Sequence, residues 1–88
     1  MTTAEAFAIL ERELAVVDMK RKAYNDANAK CEALSLRQLA ASPAECAAME
    51  DELYLADENL GYTAVRHGEA CTQLADVVRR VLAEREKT

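Results

Sequence analysis

Ser42-Pro43-Ala44-Glu45 stands between two long stretches that otherwise read as helix. Ser42 suits a helix N-cap, Pro43 suits the first helical position, and Glu45 is placed to reach back to the cap backbone. Pro43 also disfavours helical geometry at Ser42, so one helix stops where another starts. The spacing predicts two long helices joined by a tight corner.

The rest of the chain suits that architecture. It has 88 residues, enough for one small domain, and only two Gly and one Pro. A sheet protein would need more turn residues. Thr2-Thr3-Ala4-Glu5 forms a second capping box, with Thr2 as cap. We therefore expect an all-α chain: a single helical-hairpin domain over 1–88, with helix one over about 3–40, a corner at 41–43 and helix two over about 43–85. The two helices run antiparallel and are coiled-coil-like.

Apolar spacing fixes the inner faces. In the first helix Phe7, Leu10, Leu14 and Val17 alternate three- and four-residue steps, which continue through Arg21, Tyr24, Asn28 and Cys31 to Leu34 and Leu39. In the second, Cys46, Leu53, Leu60, His67, Leu74 and Val81 form one seam row, and Met49, Ala56, Thr63, Ala70 and Val77 the other. This repeat crosses Gly61 and Gly68 without losing phase, which predicts one helix rather than a three-helix bundle broken at Gly61. Charge supports the antiparallel orientation, with Lys30 near Glu50 and Glu52, Arg37 near Glu45, and Glu5 near Arg79.

Ile9, Val16, Leu55, Tyr62, Val65, Val78 and Leu82 fall outside those seams. Two helices cannot cover them, and chains this small are marginally stable alone. The expectation is self-association, most simply a homodimer forming a four-helix bundle. Tyr54, Gly61 and Gly68, repeating every seven residues, offer a smooth patch for close approach by another backbone. With Leu55 and Tyr62 they form the candidate apolar and small-residue surface.

Charge narrows the classes of partner. The net charge of −5 opposes non-specific nucleic-acid binding, which depends on neutralising phosphate. There is no Lys or Arg between Gln38 and Val65, while Glu50, Asp51, Glu52, Asp57 and Glu58 all fall there. That acidic end is the candidate binding site for a basic protein surface. No apolar run approaches ~18 residues, so no membrane span is expected. The N-terminus has no basic segment followed by an apolar core, so no signal peptide is expected. Cys31, Cys46 and Cys71 are odd in number and widely spaced, as for reduced thiols in a cytoplasmic protein.

No catalytic motif is present. A nucleophilic Cys31 or Cys71 would need a base and an oxyanion site, which the middle of a helix does not supply. His67 and Cys71, one turn apart, give two metal donors at most from one chain, so no metal and no cofactor is expected. Arg21, Tyr24, Asn28, Asn59, Thr63, Arg66 and His67 form a polar central layer that fixes register or lines a pocket. The function expected is non-enzymatic: a protein-binding adaptor, chaperone or inhibitor of bacterial or phage type. Two rivals are a small-ligand or metal sensor built on the polar layer, and an RNA-binding hairpin using Lys20, Arg21, Lys22, Lys30 and Arg37.

Overall fold

A computed structural model describes residues 1–86. Helix α1 spans Thr3–Ala40, a short α2 spans Pro43–Ala48, and α3 spans Glu50–Glu86. The two long helices pack against each other as an antiparallel hairpin, with the short α2 at the closed end.

The caps explain where the helices begin. The Thr2 side chain accepts the Glu5 N–H at 3.1 Å, and the Glu5 carboxylate accepts the Thr2 N–H at 3.2 Å. At the corner, Ala41 and Ser42 are both extended, and the Ser42 hydroxyl oxygen accepts the Glu45 N–H at 3.3 Å. The Glu45 carboxylate takes the Ser42 hydroxyl rather than the cap backbone. A single residue, Met49, separates α2 from α3. Its N–H is shared between the Glu45 and Cys46 carbonyls, a tightened turn, and the Leu53 N–H then returns to the Met49 carbonyl. Beyond it α3 runs unbroken through Gly61 and Gly68, which removes the three-helix alternative.

The α3 face follows the heptad. Met49, Ala56, Thr63, Ala70, Val77 and Val81 are buried, while Leu53, Leu60, His67 and Leu74 are half-buried. The α1 face corrects half of the expected seam. Leu10, Val17, Tyr24 and Cys31 do turn inward, but their companion row is Ala6, Glu13, Lys20, Ala27 and Leu34. Phe7 and Leu14, expected inside, are 60% and 48% exposed, and Leu39 is 84% exposed. The reason is steric. Ala6 and Ala27 are small enough to let the backbones come close, and Glu13 and Lys20, both half-buried, have long aliphatic stems that suit a seam position. A pattern that rewards large apolar residues passes over such a row.

The register also shifts. Cys31 donates its thiol to the Ala56 carbonyl at 3.3 Å, and Arg37 reaches Glu52 at 3.9 Å, not Glu45. Arg79 pairs with Asp76, and Thr3 rather than Glu5 lies beside the α3 C-terminus, accepting a hydrogen bond from Arg85. Facing residues are displaced by one to two turns because the extended pair and α2 use up chain before α3 begins.

Two clusters hold the hairpin. Ala6, Val77 and Val81 pack with Ile9 and Leu10 at the open end. Leu34, Met49 and Ala56 pack with Cys31, Ala41 and Leu53 near the corner. The molecule measures 67 × 16 × 14 Å with a radius of gyration of 19.7 Å. A compact chain of this length would have a radius near ~12 Å. Its accessible surface is 6449 Å². A compact monomer of this mass would expose only ~5,100 Å².

Leu34, 2% exposed, is the most enclosed leucine. Leu34→Ala should cost about 2–5 kcal/mol in chemical denaturation. Leu39→Ala, on an exposed side chain, should change the unfolding midpoint little. The Thr2 side chain and then the Thr2 backbone, by hydrogen bonding, hold the Glu5 carboxyl below its ordinary pKa. The cap therefore contributes fully above the unfolded-state pKa of Glu5 and is lost as pH falls through the folded value. Thermal melts of wild type and Glu5→Gln should differ at neutral pH and converge in acid.

Candidate functional site

The acidic end is built by the start of α3. Glu50, Asp51 and Glu52 fill its first turn, where the helix dipole favours carboxylates. Asp57 and Glu58 follow about two turns after the start of α3, beyond the dipole's reach. All five are exposed. Glu52 is the one drawn toward α1, through its 3.9 Å contact with Arg37. Glu58 accepts a hydrogen bond from the Tyr54 hydroxyl at 2.9 Å, which aligns that carboxylate along the helix. Arg37, Glu45 and Glu52 also border a concavity at the corner with Ala40, Ala41, Ala48 and Met49, open to solvent.

The residues of the expected central layer are only partly brought together. The Tyr24 and His67 rings stack across the two helices, with centroids 6.2 Å apart and planes 11° apart. Thr63 is buried, yet its hydroxyl donates to the Asn59 and Leu60 carbonyls of its own helix. Arg21 is exposed and pairs with Asp18 at 3.2 Å, and Asn28 donates to Glu32 at 3.3 Å. Arg66 lies over the Tyr62 ring at 5.1 Å and pairs with Glu69 at 3.2 Å. Tyr62, and after it the Glu69 carboxylate, pushes the Arg66 pKa further up, so that side chain stays charged. These are local contacts on separate turns, with one inter-helix stack among them.

His67 Nε2 and Cys71 Sγ are 3.6 Å apart on successive turns. Among the described residues no three His, Cys, Asp or Glu side chains gather as a metal site. All three cysteines are free, and Cys31 and Cys46 direct their thiols at backbone carbonyls. The basic residues of α1 are spread around the helix. Lys20 lies in the seam, Arg21 is tied to Asp18 and Arg37 to Glu52.

The off-seam apolar residues stay uncovered. Tyr54, Leu55, Tyr62, Val65 and Leu82 are each more than half exposed. Ile9 is the exception, half-buried against the open-end cluster. A Cβ built on Gly61 or Gly68 would meet nothing within 4 Å, so the hairpin itself does not require glycine at either position. At the open end, Phe7, Leu10, Val78, Val81 and Leu82 border a small apolar depression that the expected α1 seam had hidden. No described helix is long and apolar enough to cross a membrane. Comparison with protein-family models, curated proteins and solved structures finds no match for this chain.

If the Tyr24–His67 stack sets register, His67→Ala should lower the melting temperature more than Cys71→Ala, which removes an exposed thiol. Circular dichroism melts of the two variants measure this. A stack of this kind adds about 0.5–1.5 kcal/mol beyond burial in favourable cases.

Proposed function

We propose that this protein is a non-enzymatic binding module that associates with itself and docks on a basic surface of another protein. The observation that carries the reading is the exposed acidic end. Five carboxylates from Glu50 to Glu58 lie in a stretch with no Lys or Arg from Gln38 to Val65. Three of the four close ion pairs of the described residues sit elsewhere, within single helices, so charges of both signs are neutralised locally away from this end. The closed end is left with a concentrated negative field. Such a field speeds encounter with a positive partner and acts over ~8 Å at physiological ionic strength. The uncovered apolar rows supply the area that charge alone does not. In this reading the protein is an adaptor, chaperone or inhibitor working in the cytoplasm, with no cofactor.

The test is the triple variant Asp51→Lys, Asp57→Lys, Glu58→Lys, offered to the proteins the wild type captures. Exposed charges contribute little to folding, so the helical spectrum should be retained. Affinity should fall by at least about tenfold and its salt dependence should flatten. A folded triple variant that binds the same partner with unchanged affinity and salt slope would refute the docking role of this end.

A further inference from the structure

We infer that α3 carries the self-association surface, and that its occupant is α3 of a second copy of this chain, packed antiparallel with the two-fold axis at Gly68. The inference deepens the self-associating part of the proposed function.

The first argument is area. The hairpin exposes 6449 Å², above the ~5,100 Å² of a compact monomer of its mass. A standard interface removes about 800 Å² per partner, so one further helix contact accounts for much of the excess.

The second is the pattern on the uncovered side of α3. Tyr54, Gly61, Gly68, Ala75 and Leu82 recur every seven residues, and all are exposed. The row reads large, small, small, small, large about Gly68. Turned end for end on itself, it sets Gly68 on Gly68, Gly61 on Ala75, and Tyr54 on Leu82. Small residues at the centre let two helix backbones approach closely, and the large ones close the ends. A glycine inside a helix costs about 1 kcal/mol against alanine, and no atom of this hairpin comes within 4 Å of a Cβ built at either glycine. A second backbone supplies the missing reason.

The third is charge. Two exposed rows flank this one on α3. In the antiparallel register one row brings Ala64 against Cys71 of the second copy and Glu50 against its Arg85 end. The other brings Val65 against Thr72 and Glu58 against Arg79. A parallel pairing about the same row would instead set Asp57 beside Glu58 and Glu50 beside Asp51. Like charges there disfavour it, so the self-complementary choice is antiparallel. Glu58 and Arg79 are 21 residues apart on one helix, or ~31 Å at 1.5 Å per residue, so they can meet only between chains. The same register sets Asp57 against Val78 and Asp51 against Glu86, a like-charge contact that the two opposite-charge pairs outnumber, and it leaves Glu52 outside the interface for another partner.

The experiment is charge exchange read by sedimentation velocity on the whole chain, with circular dichroism confirming helix content. Wild type should be a dimer at micromolar concentration. Glu58→Arg and Arg79→Glu should each weaken the dimer by about tenfold, since each makes two repulsive contacts. The double exchange should restore it to within about threefold. A cross-link reads the register directly. In a Cys31→Ser, Cys46→Ser background, Ala64→Cys with native Cys71 should give disulfide-linked dimers when copper–phenanthroline is the oxidant. Within one helix those positions are ~10 Å apart, too far for a disulfide. A folded monomer at micromolar concentration would overturn the inference, as would a double exchange no better than the singles. Covalent dimers forming equally well through Cys71 without Ala64→Cys would also overturn it. None of these readouts involves another protein, and because Glu58 belongs to the dimer contact, the docking test is read alongside a variant with Asp51→Lys and Asp57→Lys alone, so the two failures stay distinguishable.

Discussion

The structure depends on a contact one side chain deep. Helices α1 and α3 meet along a single seam, and no third layer covers either of them. Among the described residues no large side chain is fully enclosed, and even Leu34 keeps 2% of its surface. The seam works because its rows are narrow. Ala6, Ala27, Ala56 and Ala70 bring the backbones together, and larger residues close the two ends around Val77 and Leu34. Dispersion over many close contacts replaces the thick apolar core that a chain of this size cannot build.

That narrow seam explains how polar groups sit inside it. Thr63 satisfies its hydroxyl on its own helix, so its burial leaves no unpaired group. Tyr24 and His67 face each other as stacked rings. Glu13 and Lys20 are half-buried along the same face. The mid-seam thus combines buried Val17, Ala27 and Ala70 with one ring contact between the helices. Orientation does not come from ion pairs between helices, because Arg37–Glu52, at 3.9 Å and exposed, is a weak contact. The capped corner and the length of α2 decide which residues face each other.

Beyond the seam, the features that distinguish this hairpin lie on its surface. The closed end concentrates carboxylates, while α3 displays a small-residue row that its own hairpin leaves bare. The two surfaces are adjacent on the same helix. A second copy on the one and a basic partner on the other would make a four-helix body with an acidic end at each extreme, since the antiparallel arrangement separates the two ends.

The sequence by itself determined the two long helices and the corner, but not the interruption at Met49 that splits the expected second helix into α2 and α3. Ser42-Pro43 marks the corner, Thr2 and Glu5 the first cap, and the unbroken heptad carries α3 past both glycines. These are local effects of capping chemistry and period, and they are readable without a neighbour. The acidic run from Glu50 to Glu58 was equally legible, since it is composition confined to one stretch. What only the tertiary structure decided was the pairing. Phe7 and Leu14 had the hydrophobicity of seam residues, and Ala6, Glu13 and Lys20 did not, yet close backbone approach selected the smaller and the longer-stemmed row. Arg37 met Glu52 because the corner takes up more chain than a tight turn, and the polar residues of the middle separated into local contacts. Pairing is a property of two surfaces meeting at one distance, and hydrophobic period along one strand of sequence carries no record of that distance.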